Sequence, residues 1–245
     1  EMLDKPLTRE EIKSVIEGRG AARRVPIMLH FWVHSQAFGD REQKVHEILS
    51  RYPMDIQVVG MKMPAIFEAP EDNQSYRWVN YDNPNPDDCA ALDSRSAVAD
   101  WSLLDGILAD FPDPHYPGLV QNVPEDDGRY RLGLFWFCYF ERHWSLRGMT
   151  NALMDYYTDP DSVHRLFRAL TDFYLVVIER AAKEAKCDGI FTSDDLGTQC
   201  STFFSLEIFR EFYKPYYKEL VDKAHSLGMH FWLHTCGNIE AFLPE

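Results

Sequence analysis

The sequence is poor in cysteine and has no paired cysteine motif. Its five cysteines, Cys89, Cys138, Cys187, Cys200 and Cys236, are scattered, odd in number and free of any C-x-x-C pair. This usage argues against a disulfide framework and for a reducing compartment. No apolar run approaches the roughly 20 residues that span a bilayer, and the N-terminal stretch has no apolar signal-peptide core. We therefore predict a cytoplasmic protein that does not enter the membrane.

Basic residues are also scarce. There are 25 Lys and Arg residues against 39 Asp and Glu residues, which gives a formal net charge of -14. Such a surface repels nucleic acid and anionic membranes, so we expect neither as a partner. The charge suits a neutral or cationic small molecule, or a protein partner with a basic patch.

Glycine-rich phosphate loops of the G-x-G-x-x-G or P-loop type are missing after the first predicted strand, which argues against a nucleotide-binding sheet. After a helix opened by a capping box at Thr8 and Glu11, strands and helices alternate five times, as expected for parallel strands with crossover helices. The predicted strands are 25–33, 55–61, 132–140, 188–193 and 229–235. We predict an α/β fold, a TIM (β/α)8 barrel with about five of its eight strand–helix units, because a whole barrel takes about 250 residues. Residues 1–245 then form one barrel domain, truncated at its C-terminus.

The region 62–124 differs in composition from the rest of the chain. It holds eight of the 14 prolines together with many Asp and Asn residues. This pattern predicts a long insertion, with one amphipathic helix over 94–109. The apolar stripe of that helix either packs on the body of the domain or belongs to a lid or binding loop.

A His-x-Cys pair ends the fifth predicted strand. His234 and Cys236 are two residues apart and so lie on one face of the strand, at the end where barrel active sites are found. An imidazole and a thiolate there can fill two positions of a tetrahedral Zn²⁺. The alternative is a packed histidine and a buried cysteine that never meet a metal.

Two adjacent acids follow the fourth predicted strand. Asp194 or Asp195 can act as a general acid or base or orient the substrate; alternatively, both only cap the following turn. The sequence does not say which of them faces the site. Gln199, a few residues on, is a candidate substrate-binding residue.

Weaker candidates follow the third and first predicted strands. Glu141 is a candidate catalytic carboxylate if it faces the same mouth, and a structural charge at the rim if it does not. His30 and His34 are candidate substrate-binding residues, with packing among aromatic residues as the alternative.

Several of these motifs together resemble the uroporphyrinogen decarboxylase superfamily, most closely its corrinoid-linked methyltransferase branch. The resemblance covers residue 131 onward and rests on six segments in order: Phe140-Glu141-Arg142, Trp144-Ser145-Leu146-Arg147-Gly148, Leu153-Met154-Asp155, Asp159-Pro160, Asp194-Asp195-Leu196-Gly197-Thr198-Gln199 and His234-Thr235-Cys236-Gly237-Asn238. It implies that His234 and Cys236 are zinc ligands and that a third ligand, a cysteine, lies beyond Glu245. It also implies a corrinoid (cobalamin) carried by a partner protein.

One departure from the family favours methyl transfer over decarboxylation. The true decarboxylases use arginines and an aspartate near the first strand, whereas residues 29–38 contain no Arg and no Asp. The expected activity is therefore that of a zinc-dependent methyltransferase, which moves a methyl group between a small methylated substrate, such as a methyl ether, and a corrinoid protein or thiol acceptor. The alternatives are a lyase that acts on a porphyrinogen and a non-catalytic barrel that binds a corrinoid or a partner protein.

Overall fold

A parallel sheet forms the centre of the protein. The structure, a computed structural model, describes residues 5–29, 35–52, 54–63, 78, 96–120 and 122–245. Four strands pair in the order β1-β2-β3-β4, all parallel. They are β1 (Ile56–Gly60), β2 (Tyr130–Phe135), β3 (Gly189–Ser193) and β4 (His230–His234). The predicted α/β class with a parallel sheet is confirmed.

Helices precede and connect these strands. They are α1 (Arg9–Ile16), α2 (Glu42–Arg51), α3 (Leu104–Ala109), α4 (Phe140–Arg147), α5 (Met149–Thr158), α6 (Pro160–Lys183), α7 (Leu206–Ile208) and α8 (Lys214–Ser226). A π-helical turn, Phe209–Tyr213, joins α7 to α8, and short 3-10 helices occur at Ser35–Arg41, Trp101–Leu103, Pro117–Leu119 and Glu240–Phe242. The predicted capping box at Thr8 and Glu11 is confirmed at the start of α1.

The first predicted strand, 25–33, is wrong over residues 25–29, which form no strand; residues 30–33 lie outside the described part of the chain. The side chain of Asp55 accounts for the difference. It accepts the backbone N–H of Ile27 at 2.6 Å and pairs with the guanidinium of Arg24 at 2.6 Å. A side chain that takes the backbone donor in this way competes with a strand ladder.

The third predicted strand, 132–140, is also too long. Pairing stops at Phe135, and α4 begins at Phe140. Between them Phe137 adopts a left-handed conformation with φ of 64°, which turns the chain out of the sheet. Aromatic composition favours a strand, but it carries no information about this turn.

The predicted insertion helix, 94–109, is shorter than expected. Residues 94 and 95 lie outside the described residues, and 96–100 are not helical. Instead Val98 donates its backbone N–H to the carbonyl of Leu146, and Asp100 caps the turn that leads into α3. The boundaries 62–124 of the insertion and the single domain 1–245 stay predictions.

The sheet packs against helices on one face and is tied to α1 at the amino ends of its strands. Its outer face, with Phe135 and Ile190, belongs to a large apolar cluster shared with α6 and α8. At the amino ends α1 is fastened by ion pairs from Arg9 and Lys13 to Asp188, at 2.7 and 2.8 Å. Among the described residues, no helix has the length and apolar content needed to cross a lipid bilayer.

Candidate metal centre

Two loops at the carboxyl ends of β3 and β4 bring the candidate metal ligands together. The strands are neighbours in register, with Ser193 opposite His234. Beyond them Asp194 donates its backbone N–H to the carbonyl of His234 at 2.9 Å, and Asn238 donates its own to the carbonyl of Thr198 at 2.7 Å. The two loops therefore run side by side past the ends of the strands.

Two glycines allow this close approach. A Cβ on Gly237, whose φ is 82°, would lie 2.2 Å from the carbonyl oxygen of Gly197. A Cβ on Gly197 would lie 2.6 Å from the carbonyl oxygen of Asn238. Any larger residue would force the loops apart, so both glycines are required for the geometry of the site.

His234, Cys236 and Asp195 form one cluster, called here the metal cluster. One ligand atom from each lies within 4.8 Å of the others. The Nε2 of His234 is 3.5 Å from the Sγ of Cys236 and 3.7 Å from an Oδ1 of Asp195. The same Oδ1 accepts the backbone N–H of Cys236 at 2.7 Å, which orients the carboxylate toward the other two groups.

These separations fit a tetrahedral zinc site. Zinc–nitrogen and zinc–sulfur bonds of about 2.0 and 2.3 Å at the tetrahedral angle place the two ligand atoms about 3.5 Å apart. The distance between His234 and Cys236 matches this value. Imidazole, thiolate and carboxylate are also the ligand types that zinc takes in proteins.

The charge around Cys236 favours a cation. Desolvation, together with the carboxylates of Asp195 and Glu141, raises the pKa of the Cys236 thiol above its ordinary value. Negative neighbours disfavour a thiolate, and a bound divalent cation reverses this effect. Cys236 and the two carboxylates therefore form a negatively charged environment that a bound cation would neutralise.

Asp194 has different surroundings from Asp195. It is fully buried, and its carboxylate accepts the backbone N–H groups of Tyr139 and Phe140 at 3.0 and 3.1 Å. It also accepts the N–H of Glu141 at 2.8 Å and the hydroxyl of Tyr217 at 2.5 Å. Burial raises its pKa to about 6, so it is ionised at neutral pH. The three amide hydrogen bonds hold the start of α4 against the end of β3, and the hydroxyl of Tyr217 ties α8 to the same carboxylate.

Glu141 lies at the start of α4 with its side chain turned to β3. Its Oε2 accepts the hydroxyl of Ser193 at 2.6 Å, and the residue is only 6% exposed. Burial raises the pKa of Glu141 to about 7, and the charges of Asp194 and Asp195 contribute to the increase. At neutral pH this carboxyl is therefore protonated in an appreciable share of the molecules.

Within the described part of the chain, the metal cluster contains no other predicted site residue. Gln199 is exposed on the loop that follows Asp195, and Cys200 beside it is exposed as well. His30 and His34 lie outside the described residues. The roles predicted for these residues, and for Glu141, Asp194 and Asp195, stay predictions.

Three further residues support the site, and the sequence analysis did not select them. Ser193 holds Glu141, Tyr217 holds Asp194, and Thr235 accepts the backbone N–H of Leu196 at 3.0 Å between the two loops. Ser193 and Thr235 could have been selected from the sequence, because both lie at the ends of predicted strands. Nothing in the local pattern of α8 pointed to Tyr217.

Comparison with known proteins finds a family model that matches part of the chain. Residues 138–245 match the family model described as uroporphyrinogen decarboxylase (URO-D). Among solved structures, a methyltransferase from Methanosarcina mazei is similar, with 21% sequence identity and a TM-score of 0.38 over 48% of this chain. The chain spans about a third, 33%, of the length of that structure. No curated protein matches the chain. The resemblance to the uroporphyrinogen decarboxylase superfamily that the sequence motifs predict is confirmed over residues 138–245.

Proposed function

We propose that the protein is a zinc-dependent methyltransferase that moves a methyl group between a small methylated substrate and a corrinoid protein or thiol acceptor. The observation that carries the proposal is the metal cluster, whose imidazole, thiolate and carboxylate lie within 4.8 Å of one another at the strand ends. The four parallel strands are in this proposal part of a (β/α)8 barrel. Active sites of that fold lie at the carboxyl ends of the strands.

His234 and Cys236 hold the zinc in this proposal. Asp195 either completes the ligand set or orients it through the amide of Cys236. A third cysteine beyond Glu245, as the family resemblance implies, would leave Asp195 in the second role. When bound, zinc supplies a Lewis acid that polarises the heteroatom carrying the methyl group.

Glu141 supplies the proton that the departing heteroatom needs. A methyl group leaves oxygen or nitrogen only when the charge that develops on that atom is neutralised. With its pKa raised to about 7, Glu141 both holds a proton and releases it near neutral pH. The bond from the heteroatom to the methyl group breaks, its electron pair stays on the heteroatom, and the heteroatom takes the proton of Glu141. A reduced corrinoid on the partner protein would be the cosubstrate that accepts the methyl group. In the reverse direction Glu141 accepts a proton from a thiol.

The strongly negative net charge of the protein indicates which partners and substrates it favours. With a net charge of -14, the surface favours a corrinoid protein that docks through a basic patch and a substrate that is neutral or cationic. Both are proposals that follow from charge complementarity.

Decarboxylation of a porphyrinogen is the second candidate, because the matching family model is the one described as uroporphyrinogen decarboxylase. Two features oppose it. A polycarboxylate substrate requires a positively charged cleft. Here two acids, Asp195 and Glu141, act on Cys236 at the ends of the strands. The segment 29–38 also has no arginine.

Metal content and methyl transfer, measured together, test the proposal. We expect about one zinc per protein, and demethylation of a methyl ether only when a reduced corrinoid protein is added. His234→Ala and Cys236→Ser are expected to lose zinc and transfer. Cys200→Ser is the matched control, since Cys200 is an exposed cysteine outside the metal cluster. A zinc-free wild type that releases carbon dioxide from a porphyrinogen supports the second candidate, and a protein that binds a corrinoid without turnover supports a non-catalytic role.

A further inference from the structure

Two residues at the end of β3 hold five consecutive backbone amides of the segment that leads into α4. Phe137 donates its N–H to the Oγ of Ser193 at 3.1 Å, and Cys138 donates to the carbonyl of Ser193 at 2.8 Å. The next three amides, 139–141, donate to the carboxylate of Asp194. These five hydrogen bonds fix the backbone of Glu141 relative to the end of β3.

The first of these contacts requires an unfavourable backbone conformation. Phe137 has φ of 64°, a region that bulky residues rarely adopt because Cβ crowds the backbone. The hydroxyl of Tyr174 stabilises the turn by sharing its one proton between the carbonyls of Phe137 and Cys138, at 2.9 and 2.8 Å. Such strain persists only where the surroundings enforce it, and it is concentrated at functional sites.

The amide of Phe137 determines the direction of the Ser193 hydroxyl. A hydroxyl has one proton, and the Oγ of Ser193 already accepts one hydrogen bond. Its proton therefore goes to the Oε2 of Glu141, at the 2.6 Å expected for a hydroxyl on a carboxylate. Within the described part of the chain, no hydrogen bond reaches the other oxygen, Oε1. The relay from Phe137 through Ser193 to Glu141 thus fixes one carboxyl oxygen and leaves the second one available.

The available oxygen belongs to a carboxyl group near the metal cluster. The charge of Asp195 raises the pKa of Glu141, and the charge of Glu141 raises the pKa of the Cys236 thiol. Ser193 stands opposite His234 in the register of β3 and β4, so the group that orients Glu141 is beside the strand that ends in one candidate ligand, His234, and leads directly to a second, Cys236.

We infer that Ser193 is a positioning residue that, held by the strained amide of Phe137, directs the free oxygen of Glu141 toward the reacting heteroatom at the metal cluster. The inference rests on the proposed function and extends it to a residue outside the metal cluster. Ser193 itself touches no substrate. Its hydroxyl acts only through the carboxyl of Glu141.

Ser193→Ala, Ser193→Thr and Ser145→Ala test this role in the whole protein with zinc bound. Ser193→Ala is expected to lower kcat about tenfold and to change KM less than about twofold, since it misdirects a proton donor without removing a binding contact. Ser193→Thr keeps a hydroxyl and is expected to restore kcat. Ser145→Ala is the matched control, because its hydroxyl donates to the carbonyl of Arg142 on the same helix, and wild-type kinetics are expected.

A double-mutant cycle separates positioning from a general effect on the fold. In a Glu141→Gln background, Ser193→Ala is expected to cost less than about twofold in kcat, because the carboxyl through which it acts is gone. Full additivity of the two changes overturns the inference, and so does a loss of bound zinc in Ser193→Ala. An unchanged kcat in Ser193→Ala overturns it while the proposed function stands.

The ¹³C resonance of the Glu141 carboxyl gives a readout that does not depend on turnover. The hydrogen bond from Ser193 lowers the pKa of Glu141 against the larger effect of burial. Ser193→Ala is therefore expected to move the titration to higher pH, and Ser193→Thr to leave it in place. A titration that Ser193→Ala leaves unchanged overturns the inference even if no methyl transfer is found; absence of transfer by zinc-bound wild type contradicts the proposed function alone.

Discussion

Asp194 and Asp195 are neighbours in sequence and identical in chemistry, but they lie in two different regions of the molecule. Asp194 is fully buried, and its oxygens accept three amides and the hydroxyl of Tyr217. Asp195 is more than a third exposed and accepts the amide of Cys236, beside His234. The first carboxylate holds the fold together, and the second is placed where a cation can be bound. The two aspartates have different roles although they are adjacent, because successive side chains of extended backbone point to opposite faces.

Removal of the buried carboxylate is expected to have the largest effect on stability. Asp194→Ala leaves three amides and the hydroxyl of Tyr217 without an acceptor inside the core, which costs on the order of 3–5 kcal/mol in the free energy of unfolding. Asp195→Ala is the matched control and is expected to change it by less than about 0.5 kcal/mol in metal-free protein. Urea unfolding followed by circular dichroism measures both. Equal losses in the two variants would remove the distinction between the regions.

Removal of the exposed charge of Asp195 is expected to lower the affinity for zinc rather than the stability of the fold. Asp195→Asn keeps an oxygen for the amide of Cys236 but loses the negative charge next to His234. Its affinity for zinc is expected to fall by about 10–100-fold, the usual cost of losing a group that binds or orients a metal ligand. Competition against a chromophoric chelator measures the affinity. An unchanged zinc affinity excludes Asp195 from the site.

Glu141 stands between the two regions, and its effect on stability is expected to depend on pH. Burial raises its pKa from 4.5 to about 7, so the folded state binds this proton more tightly than the unfolded state does. The contribution of Glu141 to stability is therefore fully present below pH 4.5 and is lost as pH rises toward 7.

Glu141→Gln removes this dependence. We expect the variant to be more stable than wild type at pH 8, by on the order of 1–3 kcal/mol, with the gain absent at pH 4. Thermal unfolding at the two pH values measures the difference. A gain of equal size at both values contradicts a raised pKa for Glu141.

The smallest effect is expected from Cys236→Ser on the metal-free protein. Cys236 is exposed, and its side chain supports no apolar packing in the described part of the chain. The free energy of unfolding is therefore expected to change by less than about 0.5 kcal/mol. Chemical unfolding in the presence of a chelator checks this, and a loss of several kcal/mol would make Cys236 a structural residue.

The sequence predicted the alternation of strands and helices because strand and helix periodicity are local properties. Four of the five predicted strands overlap with β1 to β4, and the start of α1 follows its capping box. The errors come from side chains distant in sequence. Asp55 takes the amide of Ile27 and so prevents a strand at 25–29, and Ser193 turns the chain at Phe137. No pattern within a single segment contains such contacts.

The candidate site was predictable to a similar degree. The two-residue spacing of His234 and Cys236 predicted that their side chains lie together, and the structure places their ligand atoms 3.5 Å apart although β4 already ends at His234. The sequence could not assign Asp194 and Asp195, because the assignment depends on the amides 139–141 and on Tyr217 of α8. Only the folded chain brings those donors to one of the two carboxylates.

X-ray absorption at the zinc K edge tests the central claim, that zinc is held by His234 and Cys236, most directly. For wild type we predict at least one sulfur ligand at about 2.3 Å and nitrogen or oxygen ligands at about 2.0–2.1 Å. Zinc restored to Cys236→Ser by an excess of the metal must then be bound with one sulfur fewer, while the spectrum of Cys200→Ser stays unchanged. Zinc with only oxygen and nitrogen ligands in wild type, or a spectrum that Cys236→Ser leaves unaltered, would contradict the account.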